Sequence, residues 1–204
     1  MRRSRIFITA CLLMGLLLIV FSMGGAVAQE AAQMRWDIIS LAAVDGTPTI
    51  SEGGMAFSSA NDGSYIMLTG SGMFGPGTDD PVTGGGNWTV FDVTNAMTGM
   101  GTYTVTGLVS WEEGPGTLPD ALGDSIGDKA NFRAGVAVLT VAYTNEDGSE
   151  AGNGVLLISC HGPVDSLDGI FEGFLASMGS VTFYDAVQTM VGVNANRTSF
   201  HVVS

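Results

Sequence analysis

The chain has 204 residues, with seven basic and twenty acidic side chains, a formal net charge of −13, 46% hydrophobic residues and thirty glycines. So acidic a surface excludes nucleic-acid binding, which needs cations to displace the counterions of phosphate, and it is repelled by anionic membranes. The low content of charged residues and the apolar runs between glycines exclude a disordered linker.

The first element is a leader. Three arginines precede an apolar run from Ile6 to Phe21, and Ala26-Val27-Ala28 follows as a small-x-small cleavage site. This layout predicts a signal helix over 1–28, removed before Gln29, with delivery to the periplasm or the exterior. The run is short for a membrane span of about 20 residues. The box-like "ITAC" ending at Cys11 is set aside because most of the apolar core follows it. The mature part, 29–204, is expected to be a single β domain with no membrane association. It keeps twenty acidic residues against four basic ones (Arg35, Lys129, Arg133 and Arg197), a balance of −16. Cys160 is its only cysteine, so no intrachain disulfide can form and the fold must rest on its apolar core.

"WDIISLA" and "GGMAFSS" are weak strand candidates. "SYIMLTGSGMF" is stronger, because Ile66, Leu68, Gly70, Gly72 and Phe74 share one face. "GPGTDDPVTGGG" reads as turn, and a strand follows from Asn87 in "NWTVFDVT". The clearest strand is "GTYTVTGLVSWEE", Gly101 to Glu113. Tyr103, Val105, Val109 and Trp111 alternate with Thr102, Thr104, Thr106 and Ser110, while Leu108 breaks the pattern and Gly107 marks a bulge or bend. "AGVAVLTVAYT", Ala134 to Thr144, is apolar on both faces, as a strand covered on both sides would be. A long turn, "NEDGSEAGNG", returns it into "VLLISC" as a hairpin. "DSLDGIFEGFLASMG" carries a helical stripe, but Gly169 and Gly173 would each cost a helix about 1 kcal/mol. A strand from Phe171 to Ser177 is therefore expected there, with helix as the alternative. "SVTFYDAV" and "RTSFHVV" complete nine or ten strands. The prediction is an all-β fold, an antiparallel β-barrel-like single domain, with a β-sandwich as the alternative.

Chemical motifs are sparse. Cys160 and His161 are adjacent, and neighbours on a strand point to opposite faces. They are expected to form no thiolate–imidazole pair, and Cys160 reads as a buried structural thiol. His161 and His201 with a carboxylate would make a metal site only if separate strands brought them together. "VTGGGNW" lacks the helix that a phosphate loop requires. Asp120, Asp124 and Asp128 lack EF-hand spacing, and calcium ligation from this loop is the alternative to a solvated turn. Glu112 and Glu113, adjacent on a strand, cannot face each other across a glycosidase cleft. No Gly-x-Ser-x-Gly elbow occurs. Asn87 and Asn196 open Asn-x-Thr acceptor patterns for glycans.

The run "LTGSGMF…VTGGGNW…GMGTYTVTGLVSWE…GVAVLTVAYTNEDG…GVLLISCHG…FEGFLASMGSVTFYDA…NRTSFHVV" resembles a group of small secreted bacterial proteins of unassigned function. That resemblance implies an extracytoplasmic β-rich domain and carries no catalytic residues. The glycine-rich strands are more distantly similar in style to allene-oxide-cyclase-like and dirigent-like barrels, which bears on architecture alone. Together these readings predict a non-enzymatic binder of a small apolar or neutral molecule in the barrel mouth, or of an extracellular partner. Tyr103, Val105, Val109 and Trp111 are the first candidates for a lining. A barrel-cavity cyclase or isomerase and a structural or adhesive surface protein are the alternatives. No cofactor is implied beyond the calcium alternative.

Overall fold

The computed structural model describes residues 32–203; the leader assigned to 1–28 lies outside them. Among the described residues thirteen strands occur: β1 (Gln33–Val44), β2 (Thr47–Ser51), β3 (Ala56–Ala60), β4 (Tyr65–Leu68), β5 (Ser71–Phe74), β6 (Val82–Phe91), β7 (Met97–Gly114), β8 (Gly123–Asp124), β9 (Phe132–Asn145), β10 (Glu150–Cys160), β11 (Gly173–Met178), β12 (Val181–Ala186) and β13 (Gly192–Val203). The only helical element among the described residues is a single 3-10 turn, Lys129–Asn131, capped by the Asp128 side chain.

The fold is all-β and contains a closed ten-strand antiparallel barrel. The circuit runs β9–β10–β11–β12–β3–β4–β6–β5–β1–β13 and back to β9. β7 lies between β6 and β9 and pairs with both. Two smaller circuits therefore share β6, β7 and β9. The end of the barrel holding the starts of β6 and β9 is closed by six strands, and the opposite end by eight. β2 and the short β8 extend β1 as a flap off this wall, joined by one parallel pairing.

The interior is filled by side chains from every stave. Trp36, Phe74, Tyr143, Phe174, Phe183 and Phe200 are fully buried. Two interior aromatics find partners for their polar tips: Trp88 Nε1 donates to the carbonyls of Thr102 and Thr144 at 3.1 Å, and the Tyr103 hydroxyl donates to the carbonyl of Thr69 at 2.9 Å, whereas Trp36 Nε1 and the Tyr143 hydroxyl are buried without a partner.

The alternation of β7 holds from Tyr103 to Val105 and then slips. Register shifts fall between Val105 and Gly107 and again between Leu108 and Ser110. Each inserts an extra residue and inverts the faces. Leu108 thus turns inward, Val109 is 52% exposed, and after the second shift the Trp111 ring again meets Phe74 and Phe200. The expectation that Val109 shares the dry face is corrected, and Leu108, the visible exception in the pattern, is where the correction begins.

Other boundaries also move. "VTGGG" is not turn but the first half of β6, and the turn shrinks to residues 75–81. Glycine is required there because the backbones crowd: a Cβ on Gly86 would sit 1.9 Å from the Thr69 carbonyl oxygen. β9 is buried on its inner face, whereas Val136, Val138 and Ala142 on its outer face are only partly covered, so it is covered on one side and not two. Its turn to β10 is residues 146–149. Asp45 and Gly46, both at positive φ, form a two-residue turn that carries β1 straight into β2. The ambiguous segment is strand at Gly173–Met178.

Candidate functional site

Along β1, Met34, Trp36 and Ile38 enter the main core, while Arg35, Asp37 and Ile39 face the other way. Ile39 and Ile50 are buried nonetheless, outside that core cluster. They are covered by two largely irregular segments laid over the barrel wall, 115–131, which includes β8 and the 3-10 turn, and 161–172.

The first covering segment is fastened by polar bonds. Asp124 Oδ2 lies 2.8 Å from His201 Nε2, with both side chains 1% exposed. The other Asp124 oxygen accepts from the backbone N–H groups of Ile126 and Gly127, which fixes the carboxylate. The Ser125 hydroxyl lies within hydrogen-bonding distance of the Ile50 carbonyl and the Ser51 hydroxyl. Beside this pair, Arg35 grips Asp37 through two bonds of 2.8 Å and reaches Glu52 at 2.6 Å. Burial pushes the Asp37 carboxyl up, against the pull of Arg35.

The second covering segment is fastened by Glu172. Its two carboxylate oxygens accept from the backbone N–H of His161 at 2.8 Å and of Thr198 at 2.7 Å. One carboxylate thereby ties the end of β10 to β13. Although Glu172 keeps some solvent exposure, its carboxyl group is enclosed. Burial pushes that carboxyl up to about 8, against the two N–H donors and the nearby Arg197.

Between the covering segments and the wall lies a cavity of about 180 Å³. Ile39, Leu41 and Ile50 come from β1 and β2. Phe132 and Cys160 come from the ends of β9 and β10, and Arg197 and Thr198 from β13. Leu118, Pro119 and Leu122 cover it from one segment, His161, Pro163 and Glu172 from the other. The walls are chiefly apolar, with a carboxyl, a guanidinium and an imidazole converging on them, which is the usual composition of a small-molecule site. A wider depression of about 510 Å³, near Met97–Met100 and the β9–β10 turn, has only Glu146 and Asp147 as charged lining groups, and both belong to the turn.

The residues singled out from sequence are dispersed. Tyr103 and Val105 pack in the barrel core, Trp111 packs against its edge, and Val109 faces outward. Cys160 is buried, and burial, with Glu172 nearby, pushes its thiol well up. His161 lines the cavity, while His201 is held by Asp124. Asp124 and Asp128 spend their carboxylates on His201 and on the cap of the 3-10 turn, and Glu113 meets Arg133 at 3.3 Å. No group of three or more His, Cys, Asp or Glu able to hold a metal ion occurs among the described residues. Asn87 is exposed; Asn196 is buried, sits at φ 52°, and uses both ends of its amide on Phe57 and Gln188.

Sequence reasoning missed Glu172, Arg197 and the Asp124–His201 pair. Asp124 and Gly127 form an Asx-type turn legible in "DSIG", but its partner lies 77 residues away. Ser199, His201 and Asp124 have the residue types of a hydrolase triad. The Ser199 hydroxyl has no hydrogen-bond partner and is fully buried, so no substrate reaches it. Comparison with protein-family models, curated proteins and solved structures finds no match.

Proposed function

We propose that this is an exported binding protein for a small, largely apolar molecule, held in the cavity on the outer face of β1 and β13. The observation that supports this reading is the cavity itself: apolar walls from five strands and two covering segments, with Glu172 and Arg197 set among them. Its volume limits the ligand. A dry cavity of about 150 Å³ accommodates benzene, so the ligand here is about a benzene ring with a short substituent.

The experiment is a titration of the mature protein with benzyl alcohol, followed by the methyl resonances of Ile39, Leu41, Ile50, Leu118 and Leu122. Saturable shifts confined to these methyls are expected. Shifts spread evenly over the surface, or none at millimolar probe, would refute the reading. Native mass spectrometry of protein from its own source would then give the mass of the natural ligand.

A second reading, proton transfer by a cyclase- or isomerase-type enzyme, is favoured by one observation. A carboxyl pushed up to about 8 beside an apolar cavity has the proton affinity of a general acid–base group working near neutrality. Turnover that disappears in Glu172→Gln while the methyl shifts persist would establish it.

A further inference from the structure

The described residues contain four cationic side chains, and three of them are occupied. Arg35 holds Asp37 and Glu52. Arg133 meets Glu113 and the carbonyls of Ala130 and Phe132. Lys129 caps the carbonyls of Pro119 and Asp120. Arg197 differs. Its Nε is buried without a hydrogen-bond partner, and among the described residues it forms no ion pair. In a chain with twenty carboxylates an unpaired guanidinium at the wall of an apolar cavity calls for an explanation, because a buried unsatisfied donor is costly. The carboxyl that shares the wall, Glu172, has both oxygens engaged by the backbone.

We infer that Arg197 is the anchor for the acidic group of the ligand, and that the cavity takes a small monocarboxylate with a compact apolar body. This inference rests on the binding reading above and adds the chemical class. A guanidinium matches a carboxylate through two parallel N–H bonds, and the match strengthens where water is excluded. The anion is singly charged, because one guanidinium among leucines, isoleucines and a phenylalanine leaves a phosphate or a dicarboxylate largely unsatisfied. Glu172 does not oppose it: a carboxyl held up to about 8 is mostly neutral at pH 7. The strongly acidic surface then makes the cavity selective. It repels anions at long range, so only an acid that also fills the apolar walls gains enough to stay.

The test uses the mature protein at pH 7 with two probes of matched size, benzoate and benzyl alcohol, measured by calorimetry and by the methyl shifts named above. Benzoate is expected to bind at least about tenfold more tightly, as a charge-assisted pair against a neutral one. Arg197→Met should remove that advantage, so that the variant binds benzoate no more tightly than benzyl alcohol. If Met at this position prevents folding, the Arg197 Nε resonance of the unmodified protein serves instead: benzoate moves it and benzyl alcohol does not. Equal binding of the two probes, or benzoate binding untouched by Arg197→Met, overturns the assignment of Arg197 while the cavity stands. Failure of both probes to saturate overturns the binding reading and the inference with it.

Discussion

Glu172→Gln is the substitution with the most to say about how the cavity is held together. In the folded protein the Glu172 carboxyl rises from its ordinary 4.5 to about 8. The fold therefore binds this proton more tightly than the unfolded chain does between those two values. Stability from this group is fully present below pH 4.5, falls as pH rises toward 8, and is level above it. At about 1.4 kcal/mol per pH unit the ceiling is roughly 5 kcal/mol. The realised loss is expected to be about half of that, because the residue keeps some exposure to water. Glutamine is neutral at every pH and removes this slope. It also turns an amide N–H₂ toward one of the two backbone donors, His161 or Thr198, which costs about 1–3 kcal/mol. Urea unfolding at half-unit steps from pH 5 to 8.5 should show the variant less stable at the acid end and converging on the parent protein toward pH 8. Asp37 and the other carboxyls titrate alike in both proteins and cancel in the difference. Two curves that run parallel across the whole range would refute the argument.

Three further outcomes follow from the same geometry. Val105→Thr should cost about 1–3 kcal/mol in denaturant unfolding, because it puts a hydroxyl into the core, and Val109→Thr within about 0.5 kcal/mol of nothing, since Val109 is 52% exposed; equal costs would place the register shifts wrongly. Expression in a glycosylating host should add glycan at Asn87 and none at Asn196, read by intact mass, because the Asn196 amide is buried and doubly bonded. Cys160 should resist iodoacetamide in the native protein at pH 8 and react on unfolding, since its thiol is buried and pushed up; rapid native labelling would contradict this.

The β fold was legible because its signal is local. A strand with one dry face writes its alternation into consecutive residues, and Tyr103 to Val105 flanked by threonines shows it directly. Register shifts are legible only as exceptions: Leu108 breaks the alternation one residue after Gly107, yet nothing in the sequence alone says that a second shift follows within two residues. "TGGG" reads as turn because glycine has no side chain to show a face. In the fold those glycines are where β6 comes close to its neighbours, a property of the partner strands and not of the segment. The cavity had no local signature. Glu172 binds the backbone at positions 11 and 26 residues distant, and Arg197 faces Ile39 across a pairing that spans nearly the whole described chain.

The position of the cavity follows from how the barrel is filled. About eight strands enclose a space that side chains just occupy, and here the eight-strand and six-strand ends are occupied by tryptophans, tyrosines and phenylalanines. The chain instead builds a second layer. β2 and the two covering segments, the first of which includes β8, lie on the outer face of β1 and β13, and polar bonds fasten them: Asp124 to His201, Ser125 to Ile50, Glu172 to the backbone. Core and cavity share only Phe132 and Cys160 among the core cluster's residues. Leu122 belongs to the cover and lies outside the core cluster, whereas Leu118 packs against that cluster, so exchanging Leu122 for another apolar residue should reshape the cavity while the barrel keeps its packing. Loops carried on a rigid scaffold are where binding specificity usually varies. On the binding reading proposed above, a barrel whose interior is already full could therefore change its ligand by changing only what covers its wall.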